Sequence, residues 1–218
     1  MEKIINLKDL LKYQILDLYS AEEQIIDSLP DMIENARKPE LKEALRNHLM
    51  VSITHKERLD TIKKVLIDDN EEEEDQGFFS ALFGGSNNAE SQGVAGLIKE
   101  AKKIMGEDMT PEAMDAAIIG AAQKIEHYEI AGYGTVRAYA SELQMASVVD
   151  ELQKTLKEEY EADDLLTKLA IGQVNPDAEA TVDSEATVDD EATQQDAVDD
   201  DYDRLTNSVS IMSSSDPE

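Results

Sequence analysis

The sequence predicts an all-α protein built as a four-helix bundle, with a long crossover between the second and third bundle helices. Four long segments carry apolar residues at the three- and four-residue spacing of amphipathic helices. Only a few residues separate the first two segments, and a short turn separates the last two, so each pair forms an antiparallel hairpin. The segment that joins the two hairpins is longer and differs in composition.

Capping residues mark the first hairpin. The first helix is predicted to begin after Asn6, whose side chain can cap it, and to run to about Ala36 with a candidate kink at Pro30. Pro39 suits the first position of the second helix, which continues to about Leu66.

Residues 68–93 are predicted to form a crossover loop, because an acidic run is followed by a polar stretch rich in serine and asparagine. All of the phenylalanines lie in this loop, so we expect it to pack over a bundle end or at a subunit interface. They are Phe78, Phe79 and Phe83. A short helix is expected from Val94 to Met105.

The second hairpin also has clear boundaries. Thr110 followed by Pro111 is a strong helix start, and the third bundle helix is predicted to reach about Glu142. The fourth is expected from Ala146 to Ala170, and to stop at Gly172 because glycine commonly follows the end of a helix.

Residues 1–173 are therefore assigned to the bundle and residues 174–218 to a disordered acidic tail. The tail has 14 Asp and Glu residues against the single Arg204, and a degenerate repeat beginning at Glu179 and Glu185. Such a segment buries too little apolar surface to offset the entropy of ordering it. Its less acidic end, residues 204–212, could be a docking peptide for a protein partner or an inert terminus.

Composition narrows the classes of function. A formal charge of −29 excludes nucleic acid and anionic membranes as favourable partners. No stretch approaches the roughly 18 apolar residues of a membrane span. Cysteine is absent, so any metal must be held by oxygen and imidazole ligands. We expect a cytoplasmic protein.

Acids and histidines interrupt the apolar faces of all four helices. An ionised carboxylate that is buried alone is costly, so an inward-facing glutamate requires a partner. Inward acids and histidines on four helices are the residues that a di-metal carboxylate bundle needs. The expected metal is iron, with up to two ions, or alternatively manganese. The candidate ligands are Glu22, His48, His55, Glu126, Glu129, Glu159 and Asp163.

Helix register predicts which of these side chains meet. With the second turn centred near Gln144, Glu129 lies level with Glu159, the firmest pair. Glu22 is level with about Ile53, which places His55 about 3 Å above it and His48 about 7 to 8 Å below it. Both histidines are therefore within reach of the acids.

A less specific interpretation remains open for each candidate. A single inward glutamate could pair with Arg58 or Arg137 or reach solvent, and each histidine could be a hydrogen-bonded core residue. Glu23 and Glu158 lie well off the centres of their helical faces and are expected to be solvated, and His127 is expected to point away from the core.

The residues then resemble a known family, the YciE/YciF-type ferritin-like stress proteins. The resemblance covers about Leu7 to Asn175 without the crossover loop, and the segment from Glu126 to Ala131, Glu-His-Tyr-Glu-Ile-Ala, is highly specific for it. The other matching segments are Leu18–Gln24, Asn47–Leu49, Glu57–Leu59, Asp115–Ile119, Ala121–Thr135, Leu156–Glu159 and Asp163.

This resemblance implies a ferritin-like bundle, a homodimer and a role in bacterial stress responses, with a suspected di-iron centre. Such a centre could oxidise Fe(II) with oxygen or peroxide. The alternative is a non-catalytic stress or scaffold protein with a degenerate metal site.

The chain departs from the family pattern on the second helix. Family members usually carry acids after the histidine that matches His48, whereas this chain has Met50 and Val51 there. His55 stands where relatives tend to have glutamine. Either His55 has taken over a ligand role or the metal site has decayed.

Overall fold

A computed structural model describes residues 4–68 and 90–185. The chain divides into a compact unit of residues 1–182 and a second unit of residues 183–218, of which only 183–185, the end of a helix, are described. The crossover segment with Phe78, Phe79 and Phe83 and the candidate docking peptide 204–212 lie outside the described residues. The helices are α1 Leu7–Asn35, α2 Pro39–Asp68, α3 Gln92–Met105, α4 Pro111–Glu142, α5 Ala146–Leu169 and α6 Asn175–Glu185, with a π-helical turn Ala170–Val174 between α5 and α6.

The predicted helix starts are confirmed by their capping bonds. Asn6 Oδ1 accepts a hydrogen bond from the Asp9 backbone N–H at 2.8 Å, and Asp9 Oδ2 accepts one from Ile5 N–H at 3.1 Å. Thr110 directly precedes Pro111, the first residue of α4, and its Oγ1 accepts a hydrogen bond from the Ala113 backbone N–H at 3.2 Å. These side chains satisfy backbone donors that have no partner inside their helices.

Asp115 of α4 fixes the turn between α1 and α2. This carboxylate is 1% exposed and accepts from the backbone N–H groups of Arg37 at 2.6 Å and Lys38 at 2.9 Å. The turn between α4 and α5 is made at Gln144, with a φ of 57°. The turns of both hairpins are therefore short and fixed. They determine which residues of the two paired helices lie at the same level.

The four long helices form the predicted bundle. α1 packs against α2 and α4, α5 packs against α4 and α2, and the short α3 covers the outside of α4 and α1. α1 and α4 approach closely, since a Cβ atom added at Gly132 would lie 2.7 Å from Leu18 Cδ2. Pro30 lies within α1, which continues to Asn35.

The apolar core is divided into two clusters. One includes Ile25, Leu45 and Leu166, and the other includes Leu18 and Leu59. Along α1, α2 and α5, candidate metal ligands lie between apolar residues of one cluster and apolar residues of the other. These ligands are Glu22, His48, His55 and Glu159. The fold therefore places a layer of charged side chains across the middle of an otherwise apolar bundle.

The fourth bundle helix, α5, ends at Leu169, within one residue of the predicted Ala170, but the prediction that helical structure stops at Gly172 is wrong. The chain continues through the π-helical turn into α6, and Val174 is fully buried in the core together with Ala170. A π-helical turn contains one more residue than an α-helical turn, so it changes which side chains face the bundle. The prediction of a disordered tail from residue 174 fails for residues 174–185, where Asp177 also pairs with Lys38 at 2.5 Å.

We expect truncation after Gln173 to lower the melting temperature relative to truncation after Glu185. The shorter chain loses buried Val174, whose burial is worth about 1.5–3 kcal/mol. For a chain of this size that corresponds to about 3–10 °C. Thermal melts of the two truncated proteins measure the difference, and equal melting temperatures would show that α6 adds nothing to the bundle.

None of the helices in the described part of the chain is long and apolar enough to cross a membrane.

Candidate metal centre

The bundle brings six of the seven candidate ligands together in its buried middle layer. They come from all four long helices, and none of them is more than 8% exposed. They are Glu22 of α1, His48 and His55 of α2, Glu126 and Glu129 of α4, and Glu159 of α5.

These residues form two ligand groups that share one carboxylate. Within each group the candidate ligand atoms lie within 4.8 Å of one another. Glu159 belongs to both groups. The first group adds His48, Glu126 and Glu129, and the second adds Glu22 and His55.

At the first group, His48 faces the two acids of α4. His48 Nε2 lies 3.3 Å from Glu126 Oε1 and 4.0 Å from Glu129 Oε2. The two acids are three residues apart on α4, so both point to the same side of the helix. Ser52 Oγ lies 3.5 Å from the same imidazole nitrogen.

At the second group, His55 lies between acids from α1 and α5. His55 Nδ1 is 3.3 Å from Glu22 Oε1 and 2.9 Å from Glu159 Oε1. The shorter contact is not aligned as a hydrogen bond, so both of its atoms remain without a hydrogen-bond partner among the described residues. Tyr133 donates its hydroxyl proton to Glu22 Oε1 at 2.6 Å.

Glu158 contacts the second ring nitrogen of His55, Nε2, although the sequence predicts that this glutamate is solvated. Its Oε2 lies 2.9 Å from His55 Nε2, and Arg58 makes a two-point contact with the same carboxylate. A carboxylate on the outer nitrogen fixes the ring orientation and the tautomer of a ligand histidine. The sequence pattern does not indicate this role of Glu158, because its contacts with His55 and Arg58 are made across the α2–α5 interface.

Eight nitrogen and oxygen atoms of the six central side chains are buried without a hydrogen-bond partner among the described residues. Glu129 and Glu159 have no such partner on either carboxylate oxygen. The alternative pairing with arginine does not supply one. Arg58 contacts Glu151 and Glu158. Arg137 Nε is itself buried without a hydrogen-bond partner among the described residues. Buried polar atoms are normally satisfied, so this concentration requires a further partner.

Burial dominates the electrostatics of the layer. It raises the pKa of Glu22, and raises the pKa values of Glu126 and Glu129 well above their usual range, with Glu159 adding like-charge repulsion. Burial lowers the pKa of His48. For His55 burial also acts to lower the pKa, but the contacts with Glu159 and Glu22 outweigh it and raise the pKa to about 10. The raised pKa favours the protonated imidazole of His55 in the metal-free protein.

Asp163 does not join the cluster. It accepts a hydrogen bond from Gln123 Nε2 at 3.1 Å, and its side chain is 21% exposed. One helical turn past Glu159, it lies towards the surface. His127 points outwards as expected, with a 67% exposed side chain 3.5 Å from Asp163, and Glu23 pairs with Lys56 at the surface.

Comparisons with known proteins agree with this architecture. The model of a family described as "Domain of unknown function (DUF892)" matches residues 6–179. Protein YciF of Escherichia coli K12 is 33% identical over 173 residues, which cover 79% of this chain and 95% of that protein.

Two solved structures are also similar. The E. coli stress protein YciF aligns with a TM-score of 0.64 and 31% identity, over 79% of this chain and 99% of the other. YcfI from Rhodopseudomonas palustris aligns with a TM-score of 0.65 and 36% identity, over 76% of this chain and 96% of the other. Together with the bundle and its residues, these matches show that the chain belongs to the DUF892 family of YciF-type ferritin-like proteins.

Proposed function

We propose that the central His/Glu cluster binds two divalent metal ions, iron or manganese. The observation that carries the proposal is that six buried side chains converge from four helices while eight of their polar atoms have no hydrogen-bond partner among the described residues. Two cations would neutralise the four buried carboxylates and occupy the atoms that the protein leaves unsatisfied. Oxygen and imidazole donors suit iron and manganese.

The two ligand groups define a role for each residue. Glu159 belongs to both groups and would contribute ligand atoms to both positions. His48, Glu126 and Glu129 would complete one position, and Glu22 and His55 the other.

The outer residues support this arrangement. Glu158 orients His55 so that Nδ1 faces Glu22 and Glu159, and Arg58 holds Glu158 in place. The Tyr133 hydroxyl occupies Glu22 Oε1 and leaves Oε2 for a cation. On binding, the ion would take the place of the proton on His55 Nδ1, so metal binding should release protons.

Two Fe(II) ions held by these residues would supply the two electrons needed to reduce a peroxide, with two protons consumed. The protein residues would hold the ions in a buried, acid-lined layer and exclude bulk water. Detoxification of peroxide or oxygen by a stress-response protein is the physiological role we propose.

Metal analysis of the purified protein tests the proposal. We expect about two iron or manganese ions per chain after reconstitution, and expect Glu129→Ala with Glu159→Ala to abolish binding because Glu159 belongs to both positions. Glu142→Ala with Asp150→Ala is the matched control, since it removes two exposed acids from the same helices.

Equal metal content in the site variant and the parent would refute the site. No metal in either protein would favour the competing function, a non-catalytic stress or scaffold protein. A homodimer, a cytoplasmic location and a protein partner for residues 204–212 remain predictions.

A further inference from the structure

A cavity beside the first ligand group opens the cluster to the surface. Its volume is about 190 Å³, and it lies between α2 and α5 with Glu126 of α4 as part of its wall. Asn47 and Glu161 at its lining are exposed, whereas His48 and Glu126 are buried. The lining thus leads from solvent to two candidate ligands. Each has a polar atom without a hydrogen-bond partner in the described part of the chain, Nδ1 of His48 and Oε2 of Glu126.

The walls of the cavity are mostly apolar, and this apolar part is formed by Ala44, Leu45, Val51, Ala162, Leu165 and Leu166. The polar part of the lining consists of Asn47, His48, Glu126, Glu158 and Glu161. The apolar part favours a ligand that buries apolar surface of its own. The acids of the lining, together with the negative charge of the whole chain, disfavour an anion. A small uncharged molecule with an apolar part fits both conditions.

The volume sets the size of that molecule. An apolar protein cavity of about 150 Å³ is enough to bind benzene, which has six non-hydrogen atoms. A hydroperoxide with a four-carbon alkyl group has the same number of non-hydrogen atoms. Its alkyl end would contact the alanine and leucine side chains, and its oxygen atoms would reach His48 and Glu126.

We propose that this cavity is the binding site for short-chain alkyl hydroperoxides, the oxidant class of the metal centre. The identity of the oxidant rests on the function proposed above. In the reaction the O–O bond breaks, two Fe(II) ions are oxidised to Fe(III), and two protons from solvent complete an alcohol and a water molecule. Hydrogen peroxide has no alkyl group to bury against the apolar walls, so it is the poorer substrate.

Binding is tested first on the metal-free, full-length protein. Titration of ¹⁵N-labelled protein with tert-butyl alcohol, which cannot react, should shift the amide signals of cavity residues such as Ala44 and Ala162. Pivalate, which carries the same alkyl group and a negative charge, should bind about tenfold more weakly or not at all.

Ala162→Leu fills the cavity, and Ala131→Leu, at an exposed position on α4, is the matched control. The cavity variant should bind tert-butyl alcohol about tenfold more weakly, because the ligand loses the apolar surface it would bury. Val51→Leu, which narrows the cavity from α2, provides the same test if Ala162→Leu does not fold. Signals that shift elsewhere, or equal binding in parent and cavity variants, would overturn the site.

Oxidation of the iron-loaded protein identifies the substrate class. The parent should react about tenfold faster with tert-butyl hydroperoxide than with hydrogen peroxide, and Ala162→Leu should lose this preference. A parent without the preference would refute the substrate class. A parent that binds neither iron nor manganese would refute the proposed function, whereas the titration of the metal-free protein would still decide whether the cavity binds the alkyl group.

Discussion

The metal-free protein is expected to lose stability as the pH rises above about 6.5, and bound metal is expected to reverse this trend. The folded-state pKa values of Glu22, Glu126 and Glu129 are raised, mainly by burial. A carboxyl group with a raised pKa binds more protons in the folded state than in the unfolded state. Its contribution to stability is complete below the unfolded pKa of about 4.5 and is lost as the pH rises through the folded value.

His55 acts in the same direction at higher pH. Its pKa rises from 6.5 to about 10, so its contribution is complete below pH 6.5 and is lost as the pH approaches 10. The shift corresponds to at most about 5 kcal/mol. His48, whose pKa is lowered by burial, has the opposite sign, but its contribution changes only below pH 6.5. Above that pH the loss of stability is therefore unopposed by His48.

The measurement is a series of thermal melts from about pH 6 to pH 9, with chelator and with metal. We expect the melting temperature of the metal-free protein to fall by about 10 °C or more over this range. With metal the trend should reverse, because protons compete with the ion for the carboxylates and His55.

Glu129→Gln should flatten the metal-free profile, and Glu142→Gln, at an exposed position of the same helix, should not. A flat profile for the metal-free parent would show that the buried layer is not protonated in the way its burial requires.

The four-helix bundle could be predicted from the sequence because its signals are local. Asn6, Pro39 and Thr110 cap or start helices through contacts within a few residues, and the apolar spacing alone assigns the inward faces. The convergence of Glu129 and Glu159 followed from the register of one short hairpin. All of these depend on distances along a single helix or across one turn.

The remaining features depend on tertiary contacts. Glu158 lies off the inward face of α5, and only its contact with His55 and Arg58 across the α2–α5 interface gives it a role. Asp163 has the helical position of a ligand but lies towards the surface, where it contacts Gln123. Gly172 carries a stop signal, yet burial of Val174 against the core outweighs it. Sequence pattern does not report these long-range contacts.

Two variants of α2 test how the present chain holds metal on that helix. Val51 follows His48 by three residues, so it lies on the same side of the helix, and it lines the cavity beside His48 and Glu126. Val51→Glu would place a fourth carboxylate at the first ligand group, beside Glu126, Glu129 and Glu159. We expect it to raise metal affinity or stoichiometry, and to lower the melting temperature of the metal-free protein because it adds another like charge to a buried layer.

His55→Gln should have the opposite effect on metal binding. It removes the Nδ1 ligand between Glu22 and Glu159, so metal affinity at the second group should fall by about 10- to 100-fold or more. It also removes the buried cation that compensates these acids, and it leaves Glu158 paired with Arg58 alone. The metal-free variant should therefore be less stable than the parent at neutral pH.

Metal titrations of both variants and the parent measure the change in metal affinity and stoichiometry. A thermal melt of each metal-free protein measures the change in stability. Lys56→Gln, beside His55 but paired with Glu23 at the surface, is the matched control for the loss of a positive charge on α2. If His55→Gln binds metal as the parent does, His48 is the sole ligand from this helix. If Val51→Glu binds no more metal and no more tightly, the first position is already complete without an acid there, and the departure from the family pattern at residue 51 has not limited the site.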